Sequence, residues 1–471
     1  MQKIIVKNFG AVQNAEIDVK KLLVLSGEQA SGKSTIAKLI YFFKSLRDDF
    51  FNQIYRDTRY DYLYVPDDLI IPIREKFYDF FGSTFHLPDF EINFLYNVEK
   101  DKYLRLTLNN DRKIHAEFSK AFLTQKFRDE VKAIKKLLQT GLSQSSIHEQ
   151  LVYEQNKIKY AQRLSKLVNA LFESNQTDSL FIIAGRNATI SYSELFEKYL
   201  FASIQSTLER SLEENNSQAF KRKQQAIDET LMLKFMEKVV KIKDTFKKFE
   251  NFEGLIESFA ENETSKAGLR AVKKRIDEIL KGKYFIDTYG EKIIFDQSSG
   301  EYVYLSNASS GQQESIRILQ DIFMNILDNV KILRILEEPE AHLFPIAQKQ
   351  LIELLALMIN QNPDNQLIIT THSPYVLTVF NNLLFAKRVI DKNPSVETEV
   401  SSIIPRKYHI NANDFAAYSL GNQSMQTTYC ETIFSNEKGT IKQNYLDIVS
   451  EVLSGDFNAL YQIHAKTFAR K

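Results

Sequence analysis

The chain has 471 residues, of which 44% are hydrophobic and 26% charged, and its formal net charge is +1. That balance is the one of a globular protein with up to about three domains, and it excludes a uniformly basic nucleic-acid binder while leaving room for a local basic face. The lone cysteine, Cys430, excludes an internal disulfide and a cysteine-rich metal site and suits a reducing, cytoplasmic setting.

Met1–Phe9 alternates like a strand and lacks the apolar core and cleavage site of a signal peptide. No apolar run approaches the roughly 20 residues that cross a bilayer, so no membrane domain is expected in this chain. The alternation predicts strands over Lys3–Asn8, Glu16–Val19 and Lys21–Leu25, with turns at Phe9-Gly10 and Gln13-Asn14. A glycine-bounded loop then opens a helix over Ser34–Leu46.

That loop, Gly27-Glu28-Gln29-Ala30-Ser31-Gly32-Lys33-Ser34, satisfies G-x-x-x-x-G-K-[ST] between a strand and a helix. The glycines let the backbone fold tightly enough for its N–H groups to face phosphates, and the helix N-terminus adds partial positive charge. Lys33 would reach the β- and γ-phosphates, and the Ser34 hydroxyl would ligate magnesium. The expected phosphate-binding set is Gly27, Gln29, Ala30, Ser31, Gly32, Lys33, Ser34 and Thr35.

Residues 49–89 are dense in Phe and Tyr. A base-stacking platform is one reading; an aromatic core of small helices packed on the head is the preferred one. Residues 91–118 alternate as an antiparallel meander broken at Asn109-Asn110-Asp111. Charged helical spacing fills 120–173, the short strand Leu180–Ala184 interrupts it, and amphipathic helices resume over 191–282. Strands return at Lys283–Asp287, Lys292–Phe295 and Tyr302–Leu305.

Asn307-Ala308-Ser309-Ser310-Gly311-Gln312-Gln313-Glu314 opens the next helix. Small residues there form an anion nest, and a plain helix cap is the competing reading. The buried strand Ile332–Leu336 ends in Glu337-Glu338. Glu337 would hold magnesium through water, and Glu338 would orient and polarise an attacking water as general base. A helix over Ile346–Asn360 and a strand over Gln366–Thr370 lead into Thr371-His372-Ser373-Pro374, which places His372 where a γ-phosphate sensor would sit. Leu446–Leu453 reads as an amphipathic helix covering the head, with partner docking as the second use. Unbroken apolar strands alternating with helices mark a parallel sheet covered on both faces.

The expected fold is therefore α/β: a P-loop head with a mixed sheet, a parallel core and an antiparallel β subdomain, and large helical insertions. The head is discontinuous, over 1–48, 90–122, 176–190 and 283–395. An aromatic-rich helical insertion occupies 49–89, a helical arm or lid 123–175 and 191–282, and a C-terminal helical extension 396–471.

The motif set, with Leu336-Glu337-Glu338-Pro339-Glu340-Ala341-His342-Leu343, resembles the ABC-type ATPases of the SMC and overcoming-lysogenization-defect groups, over residues 1–45 and 300–380. The resemblance implies ATP and Mg2+ as ligands, ATP hydrolysis, and a homodimer or higher homo-oligomer. In it, Ser309, Ser310, Gly311 and Gln312 of one head close over ATP held by the other. It also implies His372 as the γ-phosphate contact, and it places Arg186, in Phe181–Asn187, at the Q-loop position where many relatives carry Gln. Three departures stand out: Ser310 for a glycine, Glu337 for the usual Asp, and Arg334 as a charge in a buried strand without an evident partner. Overcoming-lysogenization-defect nucleases continue into a TOPRIM domain, for which 380–471 is too short and has no Asp-x-Asp. By analogy, the chain resembles antiphage-defence ATPases that act with a separate effector, a nuclease by expectation. DNA or RNA is a candidate partner, but the Lys- and Arg-rich runs at Lys126–Lys136, Lys221–Lys223, Lys238–Lys248 and Lys266–Arg275 read first as solvated helix faces and only second as a nucleic-acid site. A transporter motor and an SMC-like repair ATPase are the alternatives; no membrane partner is expected.

Overall fold

The computed structural model describes residues 1–56, 67–139, 147–191, 227–296, 300–421, 428–442 and 454–464. The chain opens with the antiparallel hairpin β1 (Gln2–Phe9) and β2 (Val12–Val19), then enters β3 (Leu22–Gly27). After helices over Lys33–Arg56 and Asp67–Phe81 come β4 (Glu91–Asn97), β5 (Lys102–Leu108) and β6 (Ile114–Phe118). β1 pairs antiparallel with β4, so these strands form one sheet in the order β2-β1-β4-β5-β6. Its period-two pattern, with Ile4 and Val6 buried and Lys7 exposed, turns one face to the core.

Further strands are β7 (Asp178–Ile182), β8 (Lys283–Asp287), β9 (Gly290–Asp296), β10 (Glu301–Tyr304), β11 (Ile332–Glu337), β12 (Gln366–Thr371), β13 (Phe415–Leu420) and β14 (Cys430–Thr432). β8, β9 and β10 make a three-stranded antiparallel sheet, and the central sheet runs β14-β13-β3-β12-β11-β7. From β13 to β7 its pairings are all parallel. Every residue of β3, β11 and β12 is buried, as sheet strands covered by helices on both faces must be. The fold is thus α/β, a parallel-cored mixed sheet beside an antiparallel one, with helical insertions. Insertion helices include Gln125–Gln139, Ile147–Phe172, Ile227–Phe249 and Glu263–Leu280. Among the described residues no helix is long and apolar enough to cross a membrane.

Two expectations are corrected. The first helix runs to Arg56 rather than Leu46, because no glycine or proline interrupts the stretch. Residues 396–471 are not a helical extension throughout: Phe415–Leu420 joins the central sheet beside β3, so the head continues past 395. That six-residue run is bounded by Asn413-Asp414 and Gly421, and its pairing partner lies at the other end of the chain. Leu446–Leu453 and Lys221–Lys223 lie outside the described residues.

Two readings gain their physical content here. Phe42, Phe77, Phe81 and Phe90 pack with Phe9 as a core cluster, with Phe9–Phe90 ring centroids 5.0 Å apart and Phe42–Phe77 5.7 Å. Apart from the exposed Phe85, the described aromatic residues of that segment are buried or half-buried, which favours the core reading. Arg334, fully buried, finds its partners in Asp321, at 2.7 Å from Nε, and Asp178, at 2.7 Å from Nη2.

Candidate functional site

The loop after β3 is shaped by close approaches. A Cβ on Gly27, where φ is +138°, would lie 2.2 Å from the carbonyl oxygen of Leu420; one on Gly32, at φ +83°, would meet a Val12 methyl at 2.7 Å. Only glycine fits both positions. Glu28, Gln29 and Ala30 are exposed at the loop tip, Ser34 is exposed on the first helical turn, and Thr35 is half-buried. Lys33 is buried, and its Nζ donates to the carbonyls of Gly27 at 2.9 Å and Glu28 at 2.6 Å. Burial lowers the Lys33 pKa to about 8. The ammonium therefore lies inside the loop, among acceptors that incoming phosphate oxygens can replace.

Parallel pairing brings the other candidates to the same sheet edge. Glu337 stands opposite Thr370, and Thr371 opposite Ser26 at the end of β3. Glu337 Oε2 accepts the Ala184 N–H at 3.3 Å, while its buried Oε1 has no hydrogen-bond partner. An orphaned buried carboxylate oxygen suits a hard cation or its water, so Glu337 and the Ser34 hydroxyl fit magnesium. Glu338 adopts φ +44°, a left-handed conformation rare for residues other than glycine. Its N–H, donating to the Thr370 carbonyl at 3.0 Å, holds it there; such strain concentrates at functional sites. The Glu338 carboxylate lies 3.0 Å from His372 Nε2. The His372 hydrogen bond, with the Lys33 and Arg186 charges behind it, holds the Glu338 carboxyl below the usual carboxylate range. Glu338 is thus an anion at neutral pH, oriented by a donor.

Ser309 caps the Ser310–Asp328 helix in a capping box with Gln312, so the cap reading holds for these two residues. Ser309 and Ser310 are nevertheless exposed, and a Cβ on Gly311 would meet the His342 carbonyl at 2.7 Å. Among the described residues no hydrogen bond joins Ser309–Gln312 to the phosphate loop. The Q-loop candidate is Arg186. It is fully buried, and its guanidinium donates to the carbonyls of Ile183, Glu314, Glu337 and Glu338 at 2.7–3.2 Å. Through these bonds it braces the acidic turn.

Sequence reasoning missed two contributors. Glu340 Oε1 accepts from the Thr371 hydroxyl and, at 3.2 Å, from the His372 N–H, fixing the turn that carries His372; the Glu-Pro-Glu spacing was the available signal. The Tyr429 hydroxyl lies between the Ala11 and Ser31 carbonyls and shares its one proton with them, clamping the Gly27–Thr35 loop from the far end of the chain. No local pattern announces it. Within Lys238–Lys248 and Lys266–Arg275 most of the charges are paired: Lys266 and Arg270 with Glu257, Lys273 with Asp277, Arg275 with Glu353 and Lys238 with Asp178.

A family model described as an AAA ATPase domain, AAA_15, matches residues 1–377. The chain belongs to this AAA ATPase family. No curated protein matches it. Among solved structures, this AAA ATPase is similar to the SMC head domain from Thermotoga maritima, at 11% identity and TM-score 0.32, covering 80% of this chain and 90% of that one. It is also similar to the recombination mediator protein RecF-ATPrS in the RecFOR pathway, at 13% identity and TM-score 0.29, covering 79% and 93%. Both likenesses are loose, and membership rests on the family match.

Proposed function

We propose that this AAA ATPase binds ATP with magnesium on the Gly27–Thr35 loop, hydrolyses it with Glu338 as general base, and closes head-to-head with a second copy. The observation that carries the reading is Glu338 itself: strained, anionic, 3.0 Å from His372 Nε2 and within electrostatic reach of Lys33. Backbone N–H groups of the loop and Lys33 would hold the β- and γ-phosphates. Magnesium, when bound by Ser34 and Glu337, would neutralise charge developing between those phosphates. Glu338 would take the proton of the attacking water, and His372 would keep its carboxylate aimed and contact the γ-phosphate. The exposure of Ser309 and Ser310 suits a signature turn that completes the other copy's site.

We further propose that closure controls a separate effector in antiphage defence, in response to nucleic acid. Salt-sensitive retention of DNA or RNA by the ATP-bound chain tests the nucleic-acid part, since phosphate contacts weaken steeply with salt; no retention even at low salt discards it.

The central test is turnover. Glu338→Gln is expected to keep nucleotide binding and lower kcat by about a hundredfold or more, as loss of a general base does. Lys33→Ala is expected to lose nucleotide affinity instead. Normal hydrolysis by Glu338→Gln would remove Glu338 from its role.

A further inference from the structure

Three buried charges lie on one face of the Ser310–Asp328 helix: Glu314, Arg317 and Asp321. Each pairs with a different element. Asp321 holds Arg334 of β11, and Arg317 holds both carboxylate oxygens of Glu291 in β9, at 2.6 and 2.7 Å. Glu314 holds Arg186: its Oε2 accepts the Arg186 backbone N–H at 3.0 Å and lies 3.2 Å from Nε. Buried ion pairs are rarely better for stability than apolar packing of the same volume. A ladder of them on the helix that begins at Ser309–Gly311 is therefore more telling as a means of fixing that helix's position.

Only the Glu314 pair reaches the candidate site. Beyond Glu314, the Arg186 guanidinium donates from Nη1 to the Glu337 carbonyl at 2.7 Å and from Nη2 to the Glu338 carbonyl at 2.9 Å. One rigid, planar group thus joins the first turns of the signature helix to the backbone of both acids. The fork geometry of arginine makes this possible, and lysine, with a single nitrogen, cannot span it. The close approach of Gly311 to the His342 carbonyl joins the same helix start to the loop after Glu338 a second time.

We propose that Arg186 and Glu314 are positioning residues that couple the Ser309–Gly311 turn to the Glu337-Glu338 backbone, so that seating the turn on another copy's nucleotide sets the general base. This rests on the trans-site reading above. It assigns Arg186 a role in timing hydrolysis, distinct from binding either nucleotide or metal.

The test uses the full chain with Glu314→Gln, which removes the charge at nearly constant shape, and Arg186→Lys, which keeps the charge but not the fork. Nucleotide affinity, steady-state turnover and solution mass with ATP are measured for each, the mass in a Glu338→Gln background. The expected result is a kcat lower by about tenfold, with KM and nucleotide affinity within about twofold and the ATP-dependent rise in mass retained. Turnover at the unmodified rate in both variants overturns the coupling. So does joint loss of nucleotide binding, mass increase and turnover in Glu314→Gln, which would make the pair mere structural support. Should Arg186→Lys not fold, Glu314→Gln decides alone. Absence of any mass increase in Glu338→Gln with the pair intact overturns the trans-site reading itself, a separate outcome.

Discussion

Lys33 rests on the carbonyls of its own loop, and its burial, which brings its pKa to about 8, gives the site a pH dependence. Phosphates favour the ammonium, whereas the empty loop loses it as pH rises through about 8. Binding above that pH must therefore take up a proton, and ATP affinity is expected to fall by up to about tenfold per pH unit there. Fluorescence titration with a nucleotide analogue from neutral to alkaline pH checks this; a flat affinity contradicts it. Glu338, already lowered by His372, stays anionic throughout and adds nothing to the alkaline loss. Lys33, Glu337 and Glu338 could be picked out in the sequence by residue type and spacing, and the fold brings them to one edge of the central sheet. The contacts of Arg186 were not legible, for the opposite reason. Its place in the chain suited a ligand contact, but its work is done on carbonyls of Glu337 and Glu338 that only the fold brings near.

At the scale of elements, the parallel strands β3, β11 and β12 announce themselves as unbroken apolar runs, and their C-terminal ends carry the motifs. β13 does not announce itself. Phe415–Leu420 mixes small and aromatic residues over six positions, and only pairing with β3 makes it a sheet strand. Its return brings Leu420 against Gly27 and Tyr429 onto Ser31, so the phosphate loop is held by residues from both ends of the chain. Tyr429→Phe removes the one O–H shared by the Ala11 and Ser31 carbonyls, worth about 0.5–1.5 kcal/mol, and nucleotide affinity is expected to drop by about fivefold with the fold intact; an unchanged Kd from calorimetry contradicts the clamp. Arg334→Ala leaves Asp321 buried without its cation. The expected loss is about 3–5 kcal/mol, read from denaturant unfolding; a loss under about 1 kcal/mol would mean that Asp321 is satisfied without Arg334.

For the whole molecule, a head split between the two ends of the sequence was readable from where the strands fall. The reach of that head into 415–432 was not, since long-range pairing leaves little local trace. Assembly is likewise a property of surfaces. Ser309 and Ser310 are exposed at the start of a helix whose buried face is locked to the acidic turn. Under the head-to-head proposal, this turn is the surface that meets another copy. The most direct measurement is the solution mass of purified Glu338→Gln with and without ATP and magnesium. A rise from monomer to dimer on adding ATP is the expected result. A mass that stays monomeric with nucleotide bound would contradict the head-to-head clamp.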